Sequence, residues 1–214
     1  ASVGKRFTRI DAVEKVTGAA RYAADLKLEG MLHAKLLRSP HAHARVVSID
    51  ASKALNIPGV RAVATIEEVP KVVQYWFFLR TREKEQQMYL RDPIVRFVGD
   101  PVLAVAAEDE GTAEEAVSRI RVSYEPLRPY FDPVESMRAR EGFIHEKGNI
   151  AFQVSKRFGD TKKGFEKAEL VLENRFHTSK QKHAPLEPIG SCLADYGPDG
   201  RLTVYSSTQL PHWS

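Results

Sequence analysis

Short runs in which apolar and polar side chains alternate, punctuated by Gly, Pro and Asp, predict a chain built mainly of strands. Met31–Arg38 reads as the first strand, broken by Ser39-Pro40, and His41–Ile49 as the second. Asp50 supplies an N-cap for a short helix over Ala51–Asn56, which Pro58-Gly59 stops, and Val60–Ile66 is a third strand. Ile94–Val98 and Pro101–Ala107 are two further strands joined by a tight turn at Gly99-Asp100. The second is apolar enough to lie in the middle of a sheet. Thr112-Ala-Glu-Glu115 has the spacing of a capping box and predicts a helix over Ala113–Ile120, which gives way to Arg121–Tyr124 before Pro126. Strands alternating with two short helices across residues 31–124 describe one α+β domain.

The flanking regions are less regular. Phe7–Asp25 mixes small residues with no helical stripe and is expected to be an irregular lead-in. Residues 67–93 pass from a strongly apolar stretch, Val72–Leu79, to a strongly polar one, Arg80–Gln87, and fit a long loop with a short hairpin or helix in it. Residues 126–149 carry Pro126, Pro129 and Pro133, leave room for a short helix at Val134–Arg140 and read as a connection between domains. Beyond them Asn149–Phe158 is extended, Thr161–Lys167 a short capped helix, and Glu169–Phe176 a long alternating strand. Ile189–Tyr196 and Arg201–Ser207 then form a hairpin around Gly197-Pro198-Asp199-Gly200. A second, mostly β domain thus begins near residue 150. An open strand edge before Pro211-His-Trp213-Ser214 needs cover, so the chain is expected to be part of a longer polypeptide or one piece of a split one.

Composition narrows the class. With 214 residues, 43% of them apolar and 28% charged, the chain can bury a sizeable core as a globular protein. No stretch approaches the roughly 18 apolar residues of a membrane helix, so no membrane partner is expected. The Ala1-Ser-Val-Gly-Lys5 start lacks a signal pattern, which makes the cytoplasm the expected location. The net charge of +4 is spread over 32 basic and 28 acidic residues. Its densest spots, Lys162-Lys163 and Arg80-Thr-Arg82-Glu-Lys84, are not interleaved with aromatics, so nucleic acid is not an expected partner. The single cysteine, Cys192, can neither close an intrachain disulfide nor supply the about four ligands of an iron–sulfur cluster. It is expected to be a buried, inert core residue.

Candidate chemistry concentrates before the hairpin. Gln181, His183 and Glu187 sit around Pro185 and Pro188, which hold Ala184 and Glu187 extended, so Gln181 is presented from a stiffened loop. His177, His183 and Glu187 could form an acid–base pair or a metal site, but satisfied histidines in a packed loop are the preferred reading. His41 and His43 share a face of a predicted strand, yet no third ligand is marked, and a structural role is expected. Ser206 and Ser207 lack the glycines of a nucleophile elbow.

Four segments carry a resemblance: Val13-Glu-Lys-Val-Thr-Gly-Ala-Ala-Arg-Tyr-Ala-Ala-Asp25, Leu37-Arg-Ser-Pro-His-Ala-His-Ala-Arg45, Phe97-Val-Gly-Asp-Pro-Val102 and Ser207-Thr-Gln209. In this order and spacing they resemble the start of the molybdenum-binding subunit of the xanthine dehydrogenase and aldehyde oxidase family, which includes carbon monoxide dehydrogenase and 4-hydroxybenzoyl-coenzyme A reductase. The resemblance implies an α/β hammerhead domain over residues 17–125 after a lead-in of residues 1–16. A linker over 126–149 and the incomplete start of a molybdopterin-binding domain over 150–214 would follow.

It further implies a molybdenum-pterin cofactor, molybdopterin as the cytosine dinucleotide in bacteria. The chemistry would be hydroxylation of an electron-poor carbon of an aldehyde, N-heterocycle or related aromatic small molecule, or the reverse reduction. Electrons would leave through [2Fe-2S] clusters to FAD on partner subunits. Gln181 takes the place of a glutamine whose amide points at an apical oxygen on molybdenum. The family's glycine-rich loop and its catalytic glutamate belong beyond Gln209, so no catalytic residue is expected in this chain, which is expected to be inactive alone. Glu187 is expected to make a structural hydrogen bond. The rival reading is a non-catalytic hammerhead module serving assembly or interaction.

Overall fold

The computed structural model describes residues 3–69, 92–145, 148–150, 153–181, 184 and 190–208. The expected elements within Val72–Leu79 and Arg80–Gln87 lie outside the described residues. The chain divides into two compact units, one formed by Gly30–Glu166 and the other by Ala1–Glu29 together with Lys167–Ser214.

In the unit Gly30–Glu166, two three-stranded antiparallel sheets share a core. The first has the order β1 (His33–Arg38), β5 (Pro101–Ala107), β3 (Val60–Ala64), and the second β4 (Ile94–Val95), β2 (Ala44–Asp50), β6 (Arg121–Pro126). β5 is central, as its unbroken apolar run predicts: Leu37 faces Leu103 on one side and Val63 faces Val105 on the other. Pro101 opens this strand, where its missing N–H removes least from the ladder. Helix α3 (Glu110–Arg119) packs across the sheet with Ala113 and Ala116, small residues one turn apart that let the helix approach closely. One buried cluster joins Ala54, Leu103, Val105, Ala116 and Ile120, and a second joins Ala44, Val95 and Val102. Leu37, Ile49 and Val122 touch both clusters and make them one core.

The two strands around Gly99-Asp100 do not pair with each other: β4 belongs to one sheet and β5 to the other. Ser39, itself 2% exposed, ties down the crossing between them. Its N–H donates to the Asp100 carbonyl at 2.8 Å and its carbonyl accepts from Gly99 N at 2.8 Å. Gly99 has φ 95°, a conformation a side chain would strain. The Asp100 carboxylate accepts from Arg96 N at 2.9 Å.

Several expectations shift in detail. The helix after β5 starts three residues earlier than the expected capping box: Asp109 is the N-cap, accepting from Thr112 N at 2.8 Å, and the Thr112 hydroxyl donates to the same carboxylate at 2.6 Å. An ionised carboxylate is the stronger acceptor for helix-end N–H groups, so Asp109 displaces Thr112 from that role. Asp50 accepts from Ser52 N at 3.0 Å ahead of α2 (Ser52–Leu55), but the N-cap is Ala51, so the expected cap acts from one residue further out. Residues 126–149 contain the expected short helix, α4 (Pro133–Arg138), N-capped by Asp132.

In the unit formed by residues 1–29 and 167–214, the lead-in is more ordered than expected. It forms α1 (Ala12–Thr17), closed by Gly18 at φ 74°, with Ala19 N and Ala20 N both donating to Glu14 O, and a 3-10 turn, Ala23–Asp25, lying against β7. Val13 and Val16 are exposed, so the helix buries nothing and leaves no stripe to read. The hairpin is present as β7 (Cys192–Tyr196) and β8 (Leu202–Ser206), closed by Gly197 N–H to Arg201 O at 2.8 Å.

Cys192 is a free, exposed thiol rather than a core residue: along β7 only Leu193 is half-buried, and the other positions are exposed. Glu169–Phe176 joins no ladder among the described residues and is exposed along its length; alternation alone does not make a strand without a partner. Asn149–Phe158 likewise contributes no described strand, and the helix following it is α5 (Thr161–Glu166).

Leu103, fully buried, anchors the shared core, so Leu103→Ala is expected to cost about 2–5 kcal/mol in urea unfolding. Leu170→Ala, at a residue 73% exposed, is expected to cost less than about 0.5 kcal/mol in the same measurement. Burial raises the Asp100 carboxyl above its ordinary value, only partly countered by the Arg96 N–H and guanidinium. A carboxyl whose folded pKa is raised loses stability as pH rises through that value. Asp100→Asn, which keeps the acceptor, is therefore expected to raise Tm at pH 7, and the gain to close as pH falls toward the ordinary carboxylate range.

Candidate functional site

Among the described residues, the loop before the hairpin offers one neutral donor in the expected place. Gln181 ends an exposed stretch without ladder or helix that runs from Lys167, and its Nε2 makes a long hydrogen bond of 3.4 Å to Ser179 Oγ. A bond of that length holds weakly, so the carboxamide is available to turn toward an incoming acceptor. His183, Pro185, Glu187 and Pro188 lie outside the described residues, and so does Gln209. His177 is exposed in the same stretch.

The hairpin that follows this loop in sequence is fastened at its open end by serines. Ser207 N–H donates to Ser191 O at 3.0 Å, and the two hydroxyls are 3.0 Å apart. Ser207 is thus held as a brace, and Ser206 lies opposite Cys192 in the ladder. Gly190, at φ 80°, turns the chain into β7, a conformation that suits glycine.

His41 and His43 have separate surroundings, and neither lies on a strand, since β2 starts at Ala44. His43 is 5% exposed, and its Nδ1 lies 2.7 Å from Arg128 O. His41 stacks obliquely on Tyr124, with ring centroids 4.8 Å apart. Both have packing roles. Among the described residues no three His, Cys, Asp or Glu side chains converge in a geometry that could hold a metal ion.

Sequence reasoning passed over the polar hub at Arg96. Its guanidinium donates to both Asp92 oxygens, at 2.8 and 2.6 Å, to Ile94 O at 2.8 Å and to Ile144 O at 3.0 Å, with the side chain 10% exposed. Burial, and then this guanidinium, lower the pKa of His145 nearby. The available signal was the Asp92, Arg96, Asp100 spacing of four residues, which recurs in many exposed segments and carries no weight unless the side chains are known to be buried.

An anionic pterin cofactor with oxygen-bearing metal needs neutral amide or hydroxyl donors that add no charge. The Gln181 carboxamide is of that chemical kind and has donor capacity to spare, so the residue fits the group.

Two sequence models match the chain in tandem. Residues 17–128 match the aldehyde oxidase and xanthine dehydrogenase a/b hammerhead domain, and residues 144–214 match the molybdopterin cofactor-binding domain. The second match does not favour a hammerhead module with no cofactor role. The nicotine 6-hydroxylase large subunit of Paenarthrobacter nicotinovorans is 34% identical over 99% of this chain and 26% of its own length. The xanthine dehydrogenase molybdenum-binding subunit of Escherichia coli O157:H7 is 34% identical over 95% of this chain and 28% of its own.

Among solved structures, quinoline 2-oxidoreductase from Pseudomonas putida 86 superimposes with a TM-score of 0.86 at 32% identity, over 100% of this chain and 28% of that one. The chain spans about a quarter of the length of these relatives. From its α/β hammerhead through the start of a molybdopterin cofactor-binding domain, the chain belongs to the aldehyde oxidase and xanthine dehydrogenase family of oxidoreductases.

Proposed function

We propose that this chain is the N-terminal part of a molybdenum-dependent oxidoreductase that hydroxylates an electron-poor carbon of a small N-heterocycle or aldehyde, or reduces one in the reverse direction. The observation that carries the reading is the order of the two matched regions on one chain, hammerhead at 17–128 and then cofactor domain at 144–214. Nicotine and quinoline, which two of the relatives are named for, are N-heterocycles, and this supports that substrate class.

When bound, the molybdenum-pterin group, as the cytosine dinucleotide, supplies a metal that activates water and accepts an electron pair. Within this chain Gln181 donates its amide N–H to an anionic oxygen of the cofactor, orienting it without adding charge. The brace between Ser191 and Ser207 fixes the open end of the hairpin that follows that loop in sequence. The base for the reaction would lie outside this chain, and [2Fe-2S] and FAD groups on partner subunits would take up the electrons. The setting is cytoplasmic; among the described residues no helix is long and apolar enough to cross a membrane.

The native protein, isolated intact and analysed for molybdenum, is expected to carry it in roughly stoichiometric amount. A metal-free protein would overturn the reading. In the loaded enzyme Gln181→Ala is expected to retain fold and to lower molybdenum retention or kcat by about 10–100-fold. Unchanged metal content and unchanged kcat in that variant would remove Gln181 from the site while leaving the family assignment intact.

A further inference from the structure

Residues 127–145 span the interval between the two matched regions, 129–143, and they are held in an unusual way. Neither core cluster takes a member from them; Leu127, Val134 and Ile144 are half-buried, while Phe131 is 77% exposed and Met137 and Phe143 are exposed as well. Yet the segment has an internal structure of its own. Asp132 Oδ1 accepts from Glu135 N at 2.8 Å and caps α4, and Arg128 pairs with Glu135 at 2.9 Å. The Arg128 guanidinium also lies 5.1 Å from the Tyr130 ring centroid, and the Tyr130 hydroxyl donates to Glu141 O at 2.9 Å.

Fastening to the sheets occurs at the two ends. At one, His43 O accepts from Leu127 N at 2.9 Å and the His43 ring bonds Arg128 O at 2.7 Å. At the other, Arg96 Nε donates to Ile144 O at 3.0 Å, with the guanidinium itself seated on Asp92 and Ile94 O. Both latch side chains are largely buried, whereas Leu127 and Ile144, which they hold, are only half-buried.

We propose that residues 127–145 are a strap latched to the hammerhead at His43 and Arg96, which detaches as a preformed body while both sheets stay intact. A segment that contributes no residue to either core cluster loses less hydrophobic burial on leaving than a strand of either sheet would. Its own cap and ion pair travel with it, so opening is local rather than a step of global unfolding. Opening gives slack to the chain between the two matched regions without disturbing β5.

Hydrogen exchange followed by mass spectrometry on the native protein tests this. The α4 amides are expected to exchange at least ~100-fold faster than those of β5. Arg96→Gln is expected to speed exchange across 139–145 by roughly 10-fold, the effect of losing one hydrogen bond, with β5 unchanged. Arg96→Lys, which keeps the charge and a donor, is expected to restore part of the protection. Should Arg96→Gln not fold, Asp92→Asn, which loosens the guanidinium's seat, is expected to give the same local change. Exchange of α4 at the β5 rate, or a latch substitution that affects strap and β5 equally or neither, would overturn the proposal.

Discussion

Between Val95 and Pro101 the chain leaves one sheet and enters the middle of another, and where that crossing is covered, at Gly99 and Asp100, its backbone groups must find partners within the protein. Ser39 answers for Gly99 and Asp100, the Arg38 guanidinium for the Gly99 carbonyl at 2.9 Å, and the Asp100 side chain for Arg96 N. Only because the crossing is satisfied in this way can β5 sit centrally and place Val102 against Ala44 and Val95 of the second sheet. The segments around Ser39-Pro40 and Gly99-Asp100, far apart in sequence, are therefore two halves of one joint. Asp100 is buried there against its own electrostatic interest, since desolvation disfavours its charge.

Much of the first unit was legible because its elements satisfy their signals locally. The all-apolar Pro101–Ala107 could only be a covered strand, and Pro58-Gly59 could only end a helix. The failures occurred where local signals compete or lack a partner. Asp109 and Thr112 both offered a cap, and charge decided between them. Glu169–Phe176 alternates like a strand, but among the described residues nothing pairs with it. Cys192 occupies a strand position whose exposure depends on a layer above the ribbon, which periodicity within the ribbon cannot report. Helix α1 went unread because it buries no face.

The candidate site is a different case. Nothing in the periodicity of residues 173–191 singles out Gln181, which is named on the resemblance alone; its exposed, weakly engaged carboxamide is compatible with the proposed role. Arg96 is the opposite case. It is prominent in the structure, with four bonds from a buried guanidinium, and silent in the sequence, because its two backbone acceptors are invisible until the chain is folded.

The second unit is assembled from both ends of the chain, with Gly30–Glu166 set between them. During synthesis the first 29 residues emerge long before Lys167 does. At about 5–20 residues per second, the wait is on the order of ten seconds. The inserted unit can complete its own fold in that interval, while α1 and the 3-10 turn remain without β7. Ile10, Val13 and Val16, which stay exposed in the finished unit, are therefore apolar surface from the moment they emerge.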